Sequence, residues 1–535
     1  MIVKLHRLNS TQKRLIVLVL ALEIIALILY GVVGKLSTSS SAQGVAASDT
    51  LCQHAASAAN PVAAENTCPG TNGWRPDLPL GSQQDIEAFA APVSVNVGQR
   101  VSLYVSTTAS SYSFSVYRMG WYQGLGGRAV YASPIIQGID QPPPIVDPAT
   151  RMVSASNWHD PVTLAIPTNW VSGFYVVKLV SSVGYMRYTY FVVRNDASHA
   201  QILFQSSVLT NQAYNYWGGR SLYGDANYTN AQRSYAVSLD RPDVINAGLS
   251  NFTRYEYDLL SWLERQGYDV TYTTDIDTDV RGQLLLNHWL FLVAGHDEYW
   301  SSGMRMNVTR ARDAGVSLAF FGANDVYWHV RLEASPLGPD QVVVCYKNAS
   351  LDPLAARDPS LTTSLWRESP LDQPESPLVG ANYGAIVKGP APMVLSDGAT
   401  SFLQGTSLHP GSALQGLVGA ELGPRFAQAQ TGEFDTMPSA KNAPPSLAII
   451  AASQVQVLPG DGSQGGPSSG SGLAVATLYT APSGARVFDA GAYWWGLGLN
   501  AMHVDTSTPQ GAYSSPDFQQ FTTNLLVYLM HTSGK

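Results

Sequence analysis

Charged side chains are scarce in this chain of 535 residues, at 13% of the total, and basic residues are fewer than acidic ones. The net charge of -8 excludes a nucleic-acid binder, because such a protein needs a basic face. Hydrophobic residues, by contrast, make up 45% of the chain. The length exceeds what one ordinary core accommodates, so we expect two or three domains.

Cysteine is also scarce, with three copies. Cys52 and Cys68 flank a short segment rich in Ala and Asn, and they form either a disulfide outside the cell or two free thiols in a flexible stalk. Cys345 lies in an apolar run that predicts a buried strand. Because it lacks the strand–turn–helix setting of a nucleophile, we predict that Cys345 is a core residue.

The amino terminus contains one long apolar run. Residues 15–34 have about the length that spans a bilayer. Basic residues are more frequent before this run than after it, which places residues 1–14 in the cytoplasm and the rest outside. A cleaved signal peptide is the alternative, because residues 42–47 include small side chains. We predict a single-pass protein of the cell membrane with its C-terminal bulk extracytoplasmic.

The remainder divides by sequence pattern. Residues 35–78 are rich in Ser, Ala, Asn and Gly and predict a flexible linker. Residues 79–197 show period-two alternation between turn signals, which predicts an immunoglobulin-like antiparallel β-sandwich. In residues 198–535 strands alternate with helices, which predicts a parallel-sheet α/β domain, with an irregular or β insertion at about 345–480. The predicted fold class is therefore α/β with an all-β domain, preceded by a membrane helix.

Three predicted strand ends carry unusual numbers of polar and aromatic side chains. The carboxyl ends of parallel strands meet at one edge of a sheet, where ligands bind, so we expect these segments to converge. They are residues 211–219, the turn His296-Asp297-Glu298 between a predicted strand and a predicted helix at 301–313, and residues 322–329.

Familiar catalytic motifs are missing from these strand ends. The sequence has no Gly-x-Ser-x-Gly elbow, no phosphate-binding glycine loop and no His-Glu-x-x-His zinc motif. The remaining carboxylate, histidine, amide and tyrosines form an oxygen-rich set that suits a hard cation, which could polarise a carbonyl. Glu298 is predicted to act in the site, because a buried carboxylate needs a partner. Asp297 is predicted to cap the following helix, and His296 either acts in the site or only bonds the backbone.

Four motifs resemble one known family. They are YRMGWY at 117–122, QAYNYWGG at 212–219, GHDEYW at 295–300 and FGAN at 321–324. They are similar to proteins related to the large (beta) subunit of N,N-dimethylformamidase, from about residue 80 to the end of the chain. The resemblance implies a β-sandwich joined to a glutamine-amidotransferase-like α/β domain. It also implies a mononuclear iron held by two tyrosines and one glutamate.

The resemblance assigns roles to individual residues. By motif, the iron ligands are Glu298, Tyr214 and, at the end of the sandwich, Tyr175, for which Tyr216 is the rival. This set implies an iron between the two domains.

Three further residues match the substrate pocket of that family: His296, Asn324 and the acidic Glu421. The resemblance thus implies an iron-dependent amidohydrolase for a small linear amide, acting alone or as a homo-oligomer, and the apolar run at the amino terminus predicts that it lies outside the cytoplasm. The alternative is a non-catalytic cell-surface protein that binds envelope polymers or a protein partner, with Trp217, Trp300 and Trp328 as sugar-stacking or packing residues. A glutaminase is disfavoured because the nucleophile is missing.

Overall fold

The computed structural model describes residues 52, 54–82, 85–227, 230–420, 430–458, 470–500 and 513–531. The chain divides into two units, residues 1–54 and 55–535, and the helices and strands given below belong to the second. Neither Cys52 nor Cys68 is a free thiol, because each is disulfide-bonded. Cys345 is a free thiol that is buried in the core, as predicted.

The predicted membrane anchor at residues 15–34 lies outside the described residues. In the part of the chain that the structure describes, no helix is long and apolar enough to cross a membrane. The prediction of a single-pass protein of the cell membrane is therefore corrected, because the structure gives it no support.

Part of the segment predicted as a flexible linker is folded. It contains helix α1 (Pro61–Glu65), which begins where the side chain of Asn60 accepts a hydrogen bond from the Ala63 N–H. Val62 and Trp74 are buried there. Helix α1 was not predicted from the sequence, because the segment is rich in Ser and Ala and its few apolar side chains are not periodic.

Residues 87–194 form two sheets around one apolar core and a separate two-stranded sheet. The strands are β1 (Glu87–Ala91), β2 (Ser94–Asn96), β3 (Arg100–Ser106), β4 (Ser111–Met119), β5 (Gly127–Ala132), β6 (Ile136–Gln137), β7 (Ile145–Val146), β8 (Val153–Ser154), β9 (Val162–Ala165), β10 (Gly173–Ser181) and β11 (Met186–Arg194). One sheet has the order β1-β3-β9, and the other has the order β2-β11-β10-β4-β5 with β6 paired to β4. Apolar side chains that alternate along β3, β4 and β10, including Leu103, Phe114 and Val177, fill the space between them.

Residues 202–344 contain four α-helices and eight strands within the described ranges. The helices are α2 (Val208–Tyr214), α3 (Tyr257–Arg265), α4 (Asp275–Val280) and α5 (Ser302–Asp313). The strands are β12 (Ile202–Ser206), β13 (Ala236–Ser238), β14 (Val270–Thr274), β15 (Leu290–Gly295), β16 (Tyr299–Ser301), β17 (Ser317–Gly322), β18 (Trp328–Ser335) and β19 (Gly338–Val344). The predicted helix at 301–313 is confirmed, and its first turn is capped by Ser301, whose side chain accepts from the Met304 N–H at 3.0 Å.

The last third of the chain is also rich in strands. It contains β20 (Asn382–Lys388), β21 (Ala391–Val394), β22 (Ala413–Gly419), β23 (Gln430–Thr436), β24 (Ala448–Val457), β25 (Gly470–Thr480) and β26 (Arg486–Asp489), with helices α6 (Ser376–Val379) and α7 (Pro516–Met530). Strands β20 and β23–β25 extend the main sheet, so a large part of the segment at 345–480 belongs to that sheet.

The main sheet has nine strands in the order β14-β12-β15-β17-β26-β25-β24-β20-β23 within the described ranges. The first five are parallel to their neighbours. The remaining pairs are antiparallel. The predicted fold class, α/β with an all-β domain, is therefore wrong: the protein is mostly β, with several sheets, and the expected parallel sheet is half of a mixed one. Pro, Gly and Ser in the later strands interrupt the apolar alternation that reveals a strand.

A buried ion pair joins the β-sheet region of residues 87–194 to the main sheet region. Arg118, near the end of β4, donates to both carboxylate oxygens of Glu264 in α3, at 2.8 and 3.1 Å. Both side chains are fully buried. Arg118 belongs to one of the family-like motifs, and its role here is to hold two regions of the fold together.

Candidate functional site

The carboxyl ends of three neighbouring strands carry the predicted polar segments. Strand β12 leads into α2, β15 ends in the turn at 295–298, and β17 ends at residues 322–325. Because β12, β15 and β17 are adjacent and parallel, these segments meet at one edge of the sheet, as predicted. Thr210 of α2 ties two of them together, because its hydroxyl accepts from the Glu298 N–H at 2.9 Å.

Glu298 is the centre of the cluster. Its buried carboxylate accepts hydrogen bonds from the hydroxyl of Tyr214 at 2.8 Å, the hydroxyl of Tyr223 at 2.7 Å and the indole N–H of Trp328 at 2.8 Å. The two phenol rings stack with 4.5 Å between their centroids, and both tyrosines are only partly buried. Two phenol oxygens and a carboxylate therefore converge on one point that is more open on the tyrosine side.

His296 lies against the same oxygens. Its Nε2 atom is 3.3 Å from the Tyr214 hydroxyl and 3.3 Å from Oε2 of Glu298. Its Nδ1 atom is 3.1 Å from the carbonyl of Ala323, which fixes the orientation of the ring. The hydroxyl of Tyr493 lies 3.5 Å from Nε2. The ring atom that faces the cluster is therefore Nε2.

Asn324 is paired with a second buried carboxylate. Its side-chain amide donates to Glu433 of β23 at 2.7 Å, and its backbone N–H donates to Asp435 at 2.9 Å. Asn324 has a φ of +59°, which asparagine tolerates better than most residues. Strand β23 thus reaches the parallel-strand edge and adds an acidic residue to the site.

Aromatic rings also lie beside His296. The ring of Tyr493 lies 4.8 Å from the imidazole, and the ring of Tyr255 lies 6.2 Å from it. Trp494 packs against Tyr255 at 5.6 Å. These rings give the site an apolar wall beside its polar centre.

The charges of the cluster act on each other strongly because the groups are buried. Burial disfavours the ionised form of Glu298, but the hydrogen bond from His296 and the charge of Lys347 outweigh it and lower the pKa of Glu298. Burial also opposes protonation of His296, but the bond to Glu298 and the charge of Glu433 raise its pKa to about 9. Burial and then the charge of Glu298 raise the pKa of Tyr214 and of Tyr223 well above the usual range.

The structure brings together most of the residues predicted for the site, but not Tyr175. That side chain lies in the core between the two sheets of residues 87–194, stacked on Trp170, and its hydroxyl donates to the carbonyl of Val171 at 2.6 Å. The second phenol that donates directly to Glu298 is instead that of Tyr223.

The other two residues predicted for the site, Tyr216 and Glu421, have different outcomes. Within the described residues, the phenols that donate to Glu298 are those of Tyr214 and Tyr223, and the rival Tyr216 is not among them. Glu421 lies outside the described residues.

Sequence patterns carried little signal for Tyr223 and Glu433. Tyr223 lies in a loop nine positions after Tyr214, and only the density of tyrosines in that loop marks it. Glu433 is in a strand of the segment that was predicted as an irregular or β insertion.

One secondary prediction is wrong, and burial decides between the two alternatives of another. Asp297 does not cap α5, because its carboxylate accepts from Gln205 at 2.6 Å and Ser301 is the capping residue. Trp217, Trp300 and Trp328 are buried, so their rings are not exposed for stacking on an envelope polymer.

The donor set of the cluster fits a hard metal ion. Among the residues that the structure describes, no group of three or more His, Cys, Asp or Glu side chains could hold a metal. The set formed by Tyr214, Tyr223 and Glu298 is of a different kind, with two phenols and one carboxylate. Oxygen donors of this type suit hard cations, and tyrosine is a known iron ligand.

Comparisons with solved structures give only partial likenesses. A superoxide reductase (neelaredoxin) from Ignicoccus hospitalis aligns with 21% of this chain and 80% of its own, at 12% identity and a TM-score of 0.13. A beta-glucosidase from Listeria innocua aligns at 12% identity over 21% of this chain and 16% of its own, with a TM-score of 0.13. Murine CEACAM1b aligns at 14% identity over 23% of this chain and 62% of its own, with a TM-score of 0.12.

A comparison with sequence families identifies the family to which the chain belongs. No curated protein matches the chain. The family described as N,N-dimethylformamidase beta subunit-like, C-terminal, matches residues 113–509, which is well over half of the sequence and includes the whole cluster around Glu298. The chain therefore belongs to the N,N-dimethylformamidase beta subunit-like family.

Proposed function

We propose that this protein is an amidohydrolase that cleaves the C–N bond of a small linear amide with a mononuclear iron held by Tyr214, Tyr223 and Glu298. The observation that carries the proposal is the convergence of two phenol oxygens on one buried carboxylate, at 2.8 and 2.7 Å. Membership of the N,N-dimethylformamidase beta subunit-like family supports the same reaction class.

The ligand set suits this chemistry. An iron bound there would supply a Lewis acid that polarises the amide carbonyl and makes water a better nucleophile. The carboxylate of Glu298 is held in place by the Trp328 indole and by its own backbone bond to Thr210, so it is already oriented. Such fixed orientation is what a ligand needs to act without reorganisation.

The surrounding side chains would bind the substrate and move protons. His296 presents Nε2 to the cluster, so this atom would donate a proton to the nitrogen of the leaving amine. Asn324 and Glu433, joined at 2.7 Å, offer an amide and a carboxyl to the polar part of the substrate. The rings of Tyr255 and Tyr493 would receive its alkyl substituents.

The experiment compares two tyrosine variants. Wild type, Tyr223→Phe and Tyr175→Phe are purified, and their iron content and hydrolysis of a panel of N-alkylformamides and N-alkylacetamides are measured. Tyr223→Phe removes one oxygen ligand and is expected to lose iron and activity. Tyr175→Phe is the control, since its hydroxyl donates to the Val171 carbonyl in the core between the two sheets, and the variant is expected to keep both.

Two results would contradict the proposal. Full iron content in Tyr223→Phe would exclude that residue as a ligand. A folded wild-type protein that binds no iron and hydrolyses none of the amides would exclude the function itself.

A further inference from the structure

A serine and a histidine outside the Glu298 cluster form a nucleophile–base pair. The hydroxyl of Ser302, the first residue of α5, lies 2.8 Å from Nε2 of His329. Ser302 is exposed, whereas His329 is buried. Strands β16 and β18 create this contact, because their parallel pairing sets Trp300 beside His329 just before the chain enters the helix.

The histidine is oriented as a base. Its Nδ1 atom lies 2.6 Å from the carbonyl of Thr362, so Nδ1 carries the proton and Nε2 presents its lone pair to Ser302. The ring is also held against Trp366, with 4.4 Å between centroids. Burial, with a smaller contribution from the charge of Arg331, lowers the pKa of His329 to about 4, so the imidazole is neutral at pH 7. A backbone carbonyl here takes the orienting role that an aspartate has in many serine hydrolases.

The helix supplies groups that can stabilise negative charge. Ser302 and Gly303 are in the first turn of α5, where backbone N–H groups have no acceptor within the helix. Such N–H groups can bind the oxygen that becomes negative when a hydroxyl attacks an ester. The carboxylate of Asp279 lies against Gly303, because a Cβ built there would be only 2.0 Å from it. This carboxylate would repel an anionic substrate, so the position suits uncharged esters, and it also weakens the stabilisation of the developing oxyanion by the Gly303 N–H.

We propose that Ser302 and His329 form a second, metal-independent site that hydrolyses small uncharged carboxylic esters. Oγ of Ser302 bonds to the acyl carbon while Nε2 of His329 takes its proton. The bond to the alcohol oxygen then breaks, and Nε2 returns the proton to give the free alcohol. Water attacks the acyl-serine in the same way, releasing the carboxylic acid and restoring Ser302. This proposal is independent of the iron-site function.

The first test is covalent labelling. A fluorophosphonate probe is added to the full chain, and the modified peptide is mapped by mass spectrometry; the Ser302 oxygen replaces fluoride on phosphorus. We expect an adduct on Ser302 that is absent from Ser302→Ala. Ser360→Ala is the matched control, because Ser360 is also exposed but its hydroxyl donates to Asp358 and not to a histidine.

The second test is hydrolysis of p-nitrophenyl acetate with and without an iron chelator. Ser302→Ala is expected to lower the rate above buffer by about a hundredfold, and the chelator is expected to leave the wild-type rate unchanged. His329→Gln, checked for folding by its circular dichroism spectrum, should match Ser302→Ala. An unlabelled Ser302, or a Ser302→Ala rate equal to wild type, would overturn the proposal, whatever the outcome for the iron site.

Discussion

The ammonium of Lys347 lies 3.2 Å from the ring centroid of Tyr223, whose hydroxyl in turn donates to Glu298. The rings of Trp328 and Tyr299 lie 4.8 and 5.3 Å from the same ammonium. Lys347 has a φ of +58°, which is unfavourable for a lysine and shows that the surrounding structure holds it in place. A cation fixed behind one phenol of the cluster both orients that ring and offsets the charge of Glu298.

Replacement of Lys347 by methionine should therefore destabilise the protein. Methionine keeps most of the side-chain length but removes the cation, so the attraction to three aromatic rings is lost. We expect the free energy of unfolding to fall by about 2 kcal/mol, the value typical of a desolvated cation–π contact. Urea unfolding measures this change.

Lys388→Met is the control for Lys347→Met, because Lys388 is exposed. Its free energy of unfolding should stay close to that of wild type. Equal stability of the two variants would show that the cation behind Tyr223 contributes nothing to the fold.

Local sequence patterns predicted the centre of the site well. The run of apolar residues before Gly295 and the helix after Trp300 fixed the turn that carries His296 and Glu298, since strand and helix periodicity are local properties. The structure does not bring Tyr175 to this cluster, and its short motif could not show this because it says nothing about which core receives the side chain. That outcome depends on the pairing of β10 with β4 and β11, which is long-range.

The fold was predictable only where strands and helices alternate. Strands β15 and β17 are continuous apolar runs, which is how parallel strands buried on both faces appear in a sequence. In β23 the buried positions include Thr431, Glu433 and Asp435, so the segment does not resemble a core strand. The strand borders the site, and the polar side chains that the site requires replace the apolar residues by which a buried strand is predicted from sequence.

The pH dependence of stability should have a contribution from Glu87. Its carboxylate accepts from the Trp217 indole at 2.7 Å, but burial dominates and raises its pKa from 4.5 to about 7. Between pH 4.5 and 7 the unfolded chain releases this proton while the folded chain retains it, so stability is lost as the pH rises. Glu87→Gln should remove this loss and raise the free energy of unfolding at pH 8 by up to about 3 kcal/mol.

Urea unfolding at pH 4.5 and pH 8 tests the prediction for Glu87. The variant and wild type should differ less at pH 4.5 than at pH 8. Glu368→Gln serves as the comparison, because Glu368 is exposed and its profile should run parallel to wild type. If the free energy of unfolding of Glu87→Gln also changed with pH in the same way as that of wild type, the prediction of a raised pKa for Glu87 would be refuted.

The turn that carries the site depends on the absence of a side chain at Gly295. This residue has a φ of +74°, and a Cβ there would lie 2.3 Å from the Cβ of Tyr255. Gly267 has a similar φ of +76°, but a Cβ added there would have no atom of the described chain within 4 Å. A substitution at Gly267 therefore measures the backbone strain without the steric contact.

Gly267→Ala should lower the free energy of unfolding by about 1–2 kcal/mol from the left-handed backbone alone. Gly295→Ala should cost about 1–3 kcal/mol more from the contact with Tyr255, and amide hydrolysis should fall because His296 and Glu298 move with the turn. Urea unfolding and amidase assays on both variants measure this difference, and equal losses of stability would show that Tyr255 yields to the added methyl group.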